Sequence, residues 1–267
     1  MFTRNALAAA AVLASSAYAQ SLNISSGCES TLAGIAASPD ATCINAAGLV
    51  TSFATVNGDT SLITPLNSWL EGLCSQDACS NSTLNSIVTN VTNGCSSDLS
   101  ALGYSSDDTQ VVIQAVQQYY PTVRSLVCLQ NSTSHNLCIT DALNTVQSSL
   151  GTTLSENGLE SMVTGLISGS TNLTKALPPS LICSDCTKAA VQLINTDQPG
   201  LIPSDATDYF NQQCGSNFTS GSMPSTVAET AKGEGLASQS SGALASFPIK
   251  SLVGSLSVLA SAFVILA

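Results

Sequence analysis

Residues 62–95 read LITPLNSWLEGLCSQDACSNSTLNSIVTNVTNGC, and apolar side chains recur along them at helical spacing. They form two runs, one before and one after the cysteine pair Cys74 and Cys79. The runs are Leu62, Leu66, Trp69, Leu70 and Leu73, then Leu84, Ile87, Val88, Val91 and Cys95. Apolar residues three and four positions apart share one face of an α-helix. This stretch therefore predicts two amphipathic helices joined by a short turn between cysteines.

The same spacing continues along the chain on both sides of this stretch. The further runs are Val111, Val112, Ala115, Val116 and Tyr119; Cys138, Ile139, Ala142, Leu143 and Val146; Leu159, Met162, Val163, Leu166 and Ile167; and Cys186, Ala189, Ala190, Leu193 and Ile194. No comparable run alternates with the two-residue period of a strand. We therefore predict an all-α fold, a helical bundle stapled by disulfides, with helices of about 10–17 residues.

The ends of one helix can be predicted from single residues. Asp107 stands three residues ahead of Gln110, an arrangement that resembles a capping box and predicts a helix start. The pair Asp107 and Asp108 is interpreted as a cap for that helix and not as a catalytic pair. Pro121 should break or kink the same helix, because proline has no N–H and its ring clashes with the preceding turn.

The chain contains ten cysteines, an even number that predicts five disulfides in a secreted protein. They are Cys28, Cys43, Cys74, Cys79, Cys95, Cys128, Cys138, Cys183, Cys186 and Cys214. The spacing does not give their connectivity. Cys183 and Cys186 have the two-residue separation of redox pairs but lack the strand-helix context of those proteins. We predict structural bridges, no bound metal and no cofactor.

The cysteines also indicate a faint internal duplication. Cys43-Ile-Asn-Ala-Ala resembles Cys138-Ile-Thr-Asp-Ala, and residues 73–79 resemble residues 182–186. Each half, 28–95 and 128–214, contains five cysteines. Because five is odd, a true repeat requires at least one bridge between the halves.

The sequence predicts processing at both ends. Residues 1–19 have Arg4, an apolar run and Ala17-Tyr18-Ala19, as in a secretory signal peptide cleaved before Gln20. We then expect a helical domain over 20–218 and a flexible, disordered Ser/Thr/Gly-rich stalk over 219–241. Residues 242–267 end in an apolar tail and resemble a propeptide for a glycosylphosphatidylinositol (GPI) anchor, attached at Ser240 or Ser241. A tail-anchored helix is the alternative.

Six N-glycosylation sequons fit an extracellular location. They begin at Asn23, Asn81, Asn90, Asn131, Asn172 and Asn217. Each has Ser or Thr two residues later and no proline between, so each asparagine should lie on an exposed surface.

The charge of the chain excludes some classes of partner. The formal net charge is −11, and it becomes −13 once Arg4 and Lys250 are removed with the two signals. Four basic residues against seventeen acidic ones cannot neutralise a phosphate backbone, so nucleic acid is not expected as a partner. The same sign argues against binding to an anionic membrane surface.

The leader, the ten-cysteine helical region, the stalk and the anchor tail together support a resemblance. With L-C-S-x-x-x-C at 73–79 and C-S-D-C at 183–186, the chain resembles uncharacterised fungal proteins that are secreted, GPI-anchored and carry a domain of unknown function. The resemblance implies a fungal cell-surface location and brings no known activity with it.

Few residues suggest catalysis. His135 is the single histidine and stands beside a sequon, which predicts an exposed loop and not a hydrolase triad. No nucleophile elbow, phosphate-binding loop or zinc-protease motif is present in the sequence. A minor alternative is a hydrolase that uses two carboxylates brought together by the fold. Trp69, Tyr119 and Tyr120 are expected to anchor the core.

Two non-enzymatic functions follow from these observations. The first is a GPI-anchored glycoprotein of the cell surface or cell wall, with a structural role or an interaction with wall or other surface components. The alternative is an extracellular carrier of a lipid, sterol or other apolar ligand, held between helices that are lined by Leu, Ile, Val and Met.

Overall fold

The structure is a computed structural model that describes residues 24–54, 56–101, 103–155, 157–158 and 178–233. This part of the chain is mostly helical, with five disulfides. The α-helices are α1 Ser26–Ala36, α2 Ala46–Phe53, α3 Ile63–Ser75, α4 Asn81–Gly94, α5 Ser96–Ala101, α6 Thr109–Val127, α7 Cys138–Leu150, α8 Pro179–Ile182, α9 Asp185–Asp197 and α10 Ser204–Cys214. Short 3₁₀ helices span Pro39–Ile44 and Ser106–Asp108. The predicted helical class is confirmed.

The two helices predicted from residues 62–95 are α3 and α4. Serine side chains begin several of the helices: the Ser80 hydroxyl accepts a hydrogen bond from the Thr83 amide at the start of α4, 3.1 Å away. Ser184 caps α9 in the same way through the Thr187 amide. Such caps satisfy amides that have no partner within the helix, and each stabilises its helix by about 1 kcal/mol.

Helix α6 differs from its prediction at both its start and its proline. The capping box is formed by Ser105 and Asp108 and begins the 3₁₀ helix Ser106–Asp108, which leads into α6. Helix α6 then continues through Pro121 to Val127, so of the two expected effects of this proline, a break or a kink, the break does not occur. Buried side chains flank the proline, Tyr120 before it and Thr122 and Arg124 after it. We attribute the continuation to this burial, which outweighs the local cost of proline, about 3 kcal/mol.

The buried stripe of α6 also differs from the prediction. Ile113, Val116 and Tyr120 are buried, whereas Val111 is 51% exposed and Tyr119 is half-buried. The predicted set of apolar residues and the observed buried set both have spacings of three and four residues. The sequence therefore does not distinguish which of the two sets faces the core. Trp69 and Tyr120 are buried, as expected of core anchors.

A two-stranded antiparallel sheet corrects the all-α prediction. Strand β1, Leu129–Asn131, pairs with β2, Val227–Glu229, with Gln130 opposite Ala228. Three residues are too few to show a two-residue period in a sequence. Residues 219–233, expected to begin the stalk, therefore include a strand that packs on the domain.

All ten cysteines form bridges, which gives the connectivity that the sequence left open. The pairs are Cys28–Cys95, Cys43–Cys79, Cys74–Cys128, Cys138–Cys186 and Cys183–Cys214. Cys183 and Cys186 therefore bond to different partners and do not form a redox pair. The bridge from Cys74 to Cys128 links the two sequence halves.

The chain divides into two compact units whose limits differ from the sequence halves. Among the described residues, unit 1 contains 24–54, 75–101, 103–123 and 232–233, and unit 2 contains 56–74, 124–155, 157–158 and 178–231. Helix α3 thus belongs to unit 2 up to Cys74, although it lies in the first sequence half. Each bridge lies within one unit.

The core of unit 1 is formed by α1, α2, α4, α6 and the 3₁₀ helix Pro39–Ile44. Its buried residues are Ile35, Ala41, Ile44, Ala46, Cys79, Leu84, Ile87, Val88, Ile113, Val116 and Tyr120. The Tyr120 hydroxyl accepts a hydrogen bond from the Cys79 amide at 3.1 Å inside this core. A tyrosine can occupy the core because its polar end has a buried partner.

The core of unit 2 includes the sheet. Leu129, Cys138, Ala189 and Val227 are buried together, with Met223 packed against them. Thr230, just beyond β2, donates from both its amide and its hydroxyl to the carbonyl of Cys128. The segment after Phe218 is therefore held by backbone pairing, apolar burial and hydrogen bonds.

Several sequence predictions fall outside the described residues. These are the signal peptide, the helix over 159–167, the sequons at Asn23 and Asn172, and the anchor region with Ser240 and Ser241. Among the helices in the described part of the chain, none has both the length and the apolar character needed to cross a membrane.

Candidate functional site

A surface groove lies between α1, α4 and the 3₁₀ helix Pro39–Ile44, all within unit 1. Its volume is about 400 Å³. The lining residues are Thr31, Gly34, Ile35, Ser38, Asp40, Ala41, Ser86, Ile87, Asn90, Asn93 and Gly94. A groove of this size is within the range of small-ligand sites.

Two glycines determine where α1 and α4 touch and where they separate. A Cβ atom added to Gly94 would lie 2.0 Å from the Thr31 hydroxyl oxygen, so the helices meet there without room for a side chain. The bridge Cys28–Cys95 holds its two Cα atoms 4.2 Å apart beside this contact. Gly34, in contrast, has no atom within 4 Å of its added Cβ, and this space belongs to the groove.

The floor of the groove is apolar and belongs to the core of unit 1. Ile35, Ala41 and Ile87 line the groove and are each less than 9% exposed. Because these side chains also pack in the core, the floor is held by the same contacts that hold the unit together.

The rim of the groove is polar, and part of it is available to a ligand. The Thr31 hydroxyl donates to the Gly27 carbonyl, and the Ser38 hydroxyl accepts from the Asp40 amide, so both already have local partners. The side chains of Asp40, Ser86, Asn90 and Asn93 are exposed and make no hydrogen bond to the described protein residues. Together they offer a carboxylate, a hydroxyl and two amides above an apolar floor.

One carboxylate elsewhere in unit 1 has a perturbed pKa, and its role is structural. Asp98 accepts hydrogen bonds from the Ser25 amide and the Ser25 hydroxyl, at 2.8 and 2.6 Å. Burial raises the pKa of Asp98, but these hydrogen bonds outweigh it and hold the pKa below its ordinary value. The Ser25 hydroxyl also caps α1 by accepting from the Cys28 amide. This contact fixes the start of α1 beside the bridge Cys28–Cys95.

The residues considered for catalysis do not converge. His135 lies in an exposed turn with a positive φ of 59°, as its neighbouring sequon predicted. Asp107 and Asp108 are exposed in the 3₁₀ helix that precedes α6, where Asp108 completes the capping box. Within the described ranges, no group of three or more His, Cys, Asp or Glu residues is arranged to hold a metal ion.

Four of the six predicted glycosylation sites lie in the described part of the chain. Asn81, Asn90 and Asn217 are exposed. Asn131, the last residue of β1, is partly exposed, and its side-chain oxygen accepts from the Thr133 amide at 2.8 Å in the turn that follows. Asn81 and Asn90 both lie on α4, but of the two only Asn90 lines the groove.

The groove itself was not predicted from the sequence, although two signals for it were present. Thr31 and Gly34 place small residues three positions apart on α1, and Ser86, Asn90 and Asn93 repeat polar residues at spacings of four and three on α4. Each set marks one side of its helix. The sequence did not show that the two sides face each other.

Comparison with known proteins adds no further constraint on the site. No protein-family model matches the chain, and neither the curated proteins nor the solved structures include a similar chain.

Proposed function

We propose that this chain is a GPI-anchored glycoprotein of the cell surface or cell wall, with a non-enzymatic structural or interaction role. The observation that carries the proposal is that all ten cysteines are joined in five bridges. Disulfides of this density form and persist in oxidising compartments, which a secreted chain enters. The fungal surface location implied by the resemblance agrees with this chemistry.

Two further features support the proposal. The asparagines of three sequons, Asn81, Asn90 and Asn217, are exposed, as a glycan requires. The packed chain extends at least through β2, so the stalk of the proposal begins later than residue 219. Residues 234–241 of the expected stalk, with the anchor candidates Ser240 and Ser241, lie outside the described residues.

The bridge pattern gives partial support to an internal duplication. Cys43–Cys79 and Cys138–Cys186 join positions that correspond in the two sequence halves. The remaining pairs differ: Cys95 bonds to Cys28, whereas its counterpart Cys214 bonds to Cys183. A duplication followed by a change of disulfide partners accounts for the one matching pair of bridges and for the pairs that differ. The two remaining cysteines, Cys74 and Cys128, form the bridge between the halves.

The apolar-ligand carrier gains no support from the groove. Six of its eleven lining residues have a hydroxyl, amide or carboxylate group. A lipid or sterol would take water away from the four of these groups that have no protein partner among the described residues, those of Asp40, Ser86, Asn90 and Asn93, at a cost in binding free energy.

Treatment of intact cells with phosphatidylinositol-specific phospholipase C tests the proposal. We expect release of an oxidised glycoprotein whose last peptide ends at Ser240 or Ser241 by mass spectrometry. The matched control is Leu259→Arg, which places a charge in the apolar tail and should prevent anchoring. Retention of the wild-type protein after phospholipase and glucanase treatment, with extraction only by detergent, would instead indicate a membrane-spanning tail and contradict the proposal.

A further inference from the structure

The sequon at Asn90 stands on the rim of the groove between α1 and α4. The side chain of Asn90 is exposed and lies one helical turn from both Ser86 and Asn93, which also line the groove. A glycan joined to the Asn90 amide nitrogen would therefore start at the edge of the groove and not on an open surface.

The chemistry of the groove suits a sugar. A sugar ring combines hydroxyl groups at its edge with apolar C–H faces, and the first residue of an N-glycan adds an acetamido group. The rim side chains Asp40, Ser86 and Asn93 can hydrogen-bond to the polar groups, and Ile87 in the floor can contact a C–H face. A ligand that hydrogen-bonds to these rim side chains compensates for the water that they lose on binding, which an apolar ligand does not do.

The free volume of the groove and the covalent link to Asn90 also favour a glycan as its occupant. Gly34 leaves open space across the groove from α4, and the groove holds about 400 Å³. A covalently attached sugar experiences an effective concentration in the millimolar range for a short link, so weak contacts suffice to keep it in the groove.

A second sequon on the same helix provides an internal control. Asn81 lies nine residues before Asn90, which places it on the opposite side of α4 at 3.6 residues per turn. It is exposed and does not line the groove. A glycan at Asn81 has no comparable cavity beside it.

We propose that the N-glycan of Asn90 folds into the groove between α1 and α4 and becomes part of the packing of unit 1. Its first sugars cover Ile35 and Ile87, hydrogen-bond to the rim, and exclude other ligands. This inference rests on the proposed function, since the chain must pass through the secretory pathway to be glycosylated.

The test is the rate at which a peptide N-glycosidase removes each glycan from the full-length native protein, followed by peptide mass spectrometry. A glycan that occupies the groove for nine-tenths of the time should be removed from Asn90 about tenfold more slowly than from Asn81. The two rates should become equal once the protein is reduced and denatured. This comparison uses the wild-type chain and does not depend on the folding of a variant.

Two variants localise the effect. Gly34→Phe fills the open space, so the Asn90 glycan should be displaced and removed at the rate of the Asn81 glycan. Asn90→Gln should increase hydrogen exchange in α1 and α4, whereas Asn81→Gln should leave it unchanged.

The results separate the two proposals. Equal native rates at Asn81 and Asn90, or a glycan on Asn81 with none on Asn90, would overturn the inference and leave the proposed function intact. Absence of glycans from every sequon would contradict the proposed function as well.

Discussion

Substitutions of the two glycines beside the groove should have opposite effects on stability. The Cβ of Gly94→Ala would lie 2.0 Å from the Thr31 hydroxyl oxygen and 2.5 Å from its Cβ and Cγ2. Rotation of the Thr31 side chain cannot remove the clash, because its own Cβ is fixed by the backbone of α1. The helices must separate against the bridge Cys28–Cys95. The Cβ of Gly34→Ala meets no atom within 4 Å.

The expected magnitudes follow from the two environments. Overpacking costs about 1–3 kcal/mol. Alanine in place of a glycine inside a helix stabilises by about 0.5–1 kcal/mol, which applies to Gly34 but not to Gly94, the last residue of α4. Gly94→Ala should therefore lower the free energy of unfolding by up to about 3 kcal/mol, with about 1–2 kcal/mol as the central expectation, and Gly34→Ala should raise it by about 0.5–1 kcal/mol. For a domain of this size the melting temperature changes by about 2–4 °C per kcal/mol.

The assay is thermal unfolding of the full-length protein from a eukaryotic secretory host, followed by helical circular dichroism. Gly94→Ala should lower the melting temperature by about 2–8 °C, and Gly34→Ala should raise it by about 1–4 °C. In a Thr31→Gly background, where the clashing atoms are gone, Gly94→Ala should lose its cost. An unchanged cost in that background, or the same sign for both glycines, would refute the reasoning about the helix contact.

Three further substitutions test the structure at other points. Asp98→Asn should destabilise the protein at neutral pH; the folded-state pKa of Asp98 is depressed, so its contribution is present above the unfolded value of 3.8 and lost as pH falls through the folded value. The difference in unfolding free energy between the wild type and Asp98→Asn should therefore shrink as the pH falls from about 7 to below 3.8, and a difference that stays constant over this range would contradict the role of the Ser25 hydrogen bonds. Tyr120→Phe should cost about 1–3 kcal/mol in urea unfolding, because the buried Cys79 amide loses its acceptor; a neutral effect would show that this hydrogen bond is dispensable. Replacing both Cys74 and Cys128 by Ser should cost about 4 kcal/mol, from a separation of 54 residues. Non-reducing peptide mapping should meanwhile recover Cys183 with Cys214, and a peptide that joins Cys183 to Cys186 would contradict the pairing.

Much of the local structure could be predicted because it depends on neighbours along the chain. The apolar spacing over 62–95 gave α3 and α4, and the apolar residues around Ala189 gave α9. The two-residue gap between Cys183 and Cys186, without the strand-helix context of redox proteins, predicts no redox pair, and the two cysteines bond to different partners. The sequon four residues before His135 predicts the exposed position that this residue occupies.

The errors occur where distant residues override local preference. Pro121 has the same local cost wherever it stands, but Tyr120 beside it is buried in the core of unit 1 and accepts a hydrogen bond from the Cys79 amide, 41 residues earlier, which keeps α6 continuous. Val227 lies in a Ser- and Thr-rich segment that predicts a flexible stalk, yet its strand partner is Asn131 in β1, much earlier in the chain. Neither partner is visible from the segment itself.

The sequence by itself determined the helical class, the even number of cysteines, the acidic charge and the positions of the sequons, since composition and periodicity are local properties. Tertiary structure alone decided which cysteines are joined and which side of α6 is buried. It also brought Gly34 of α1 opposite Asn90 of α4 across one groove. The physical reason is that a bridge or a groove requires two segments to meet, and their meeting depends on how the whole core packs.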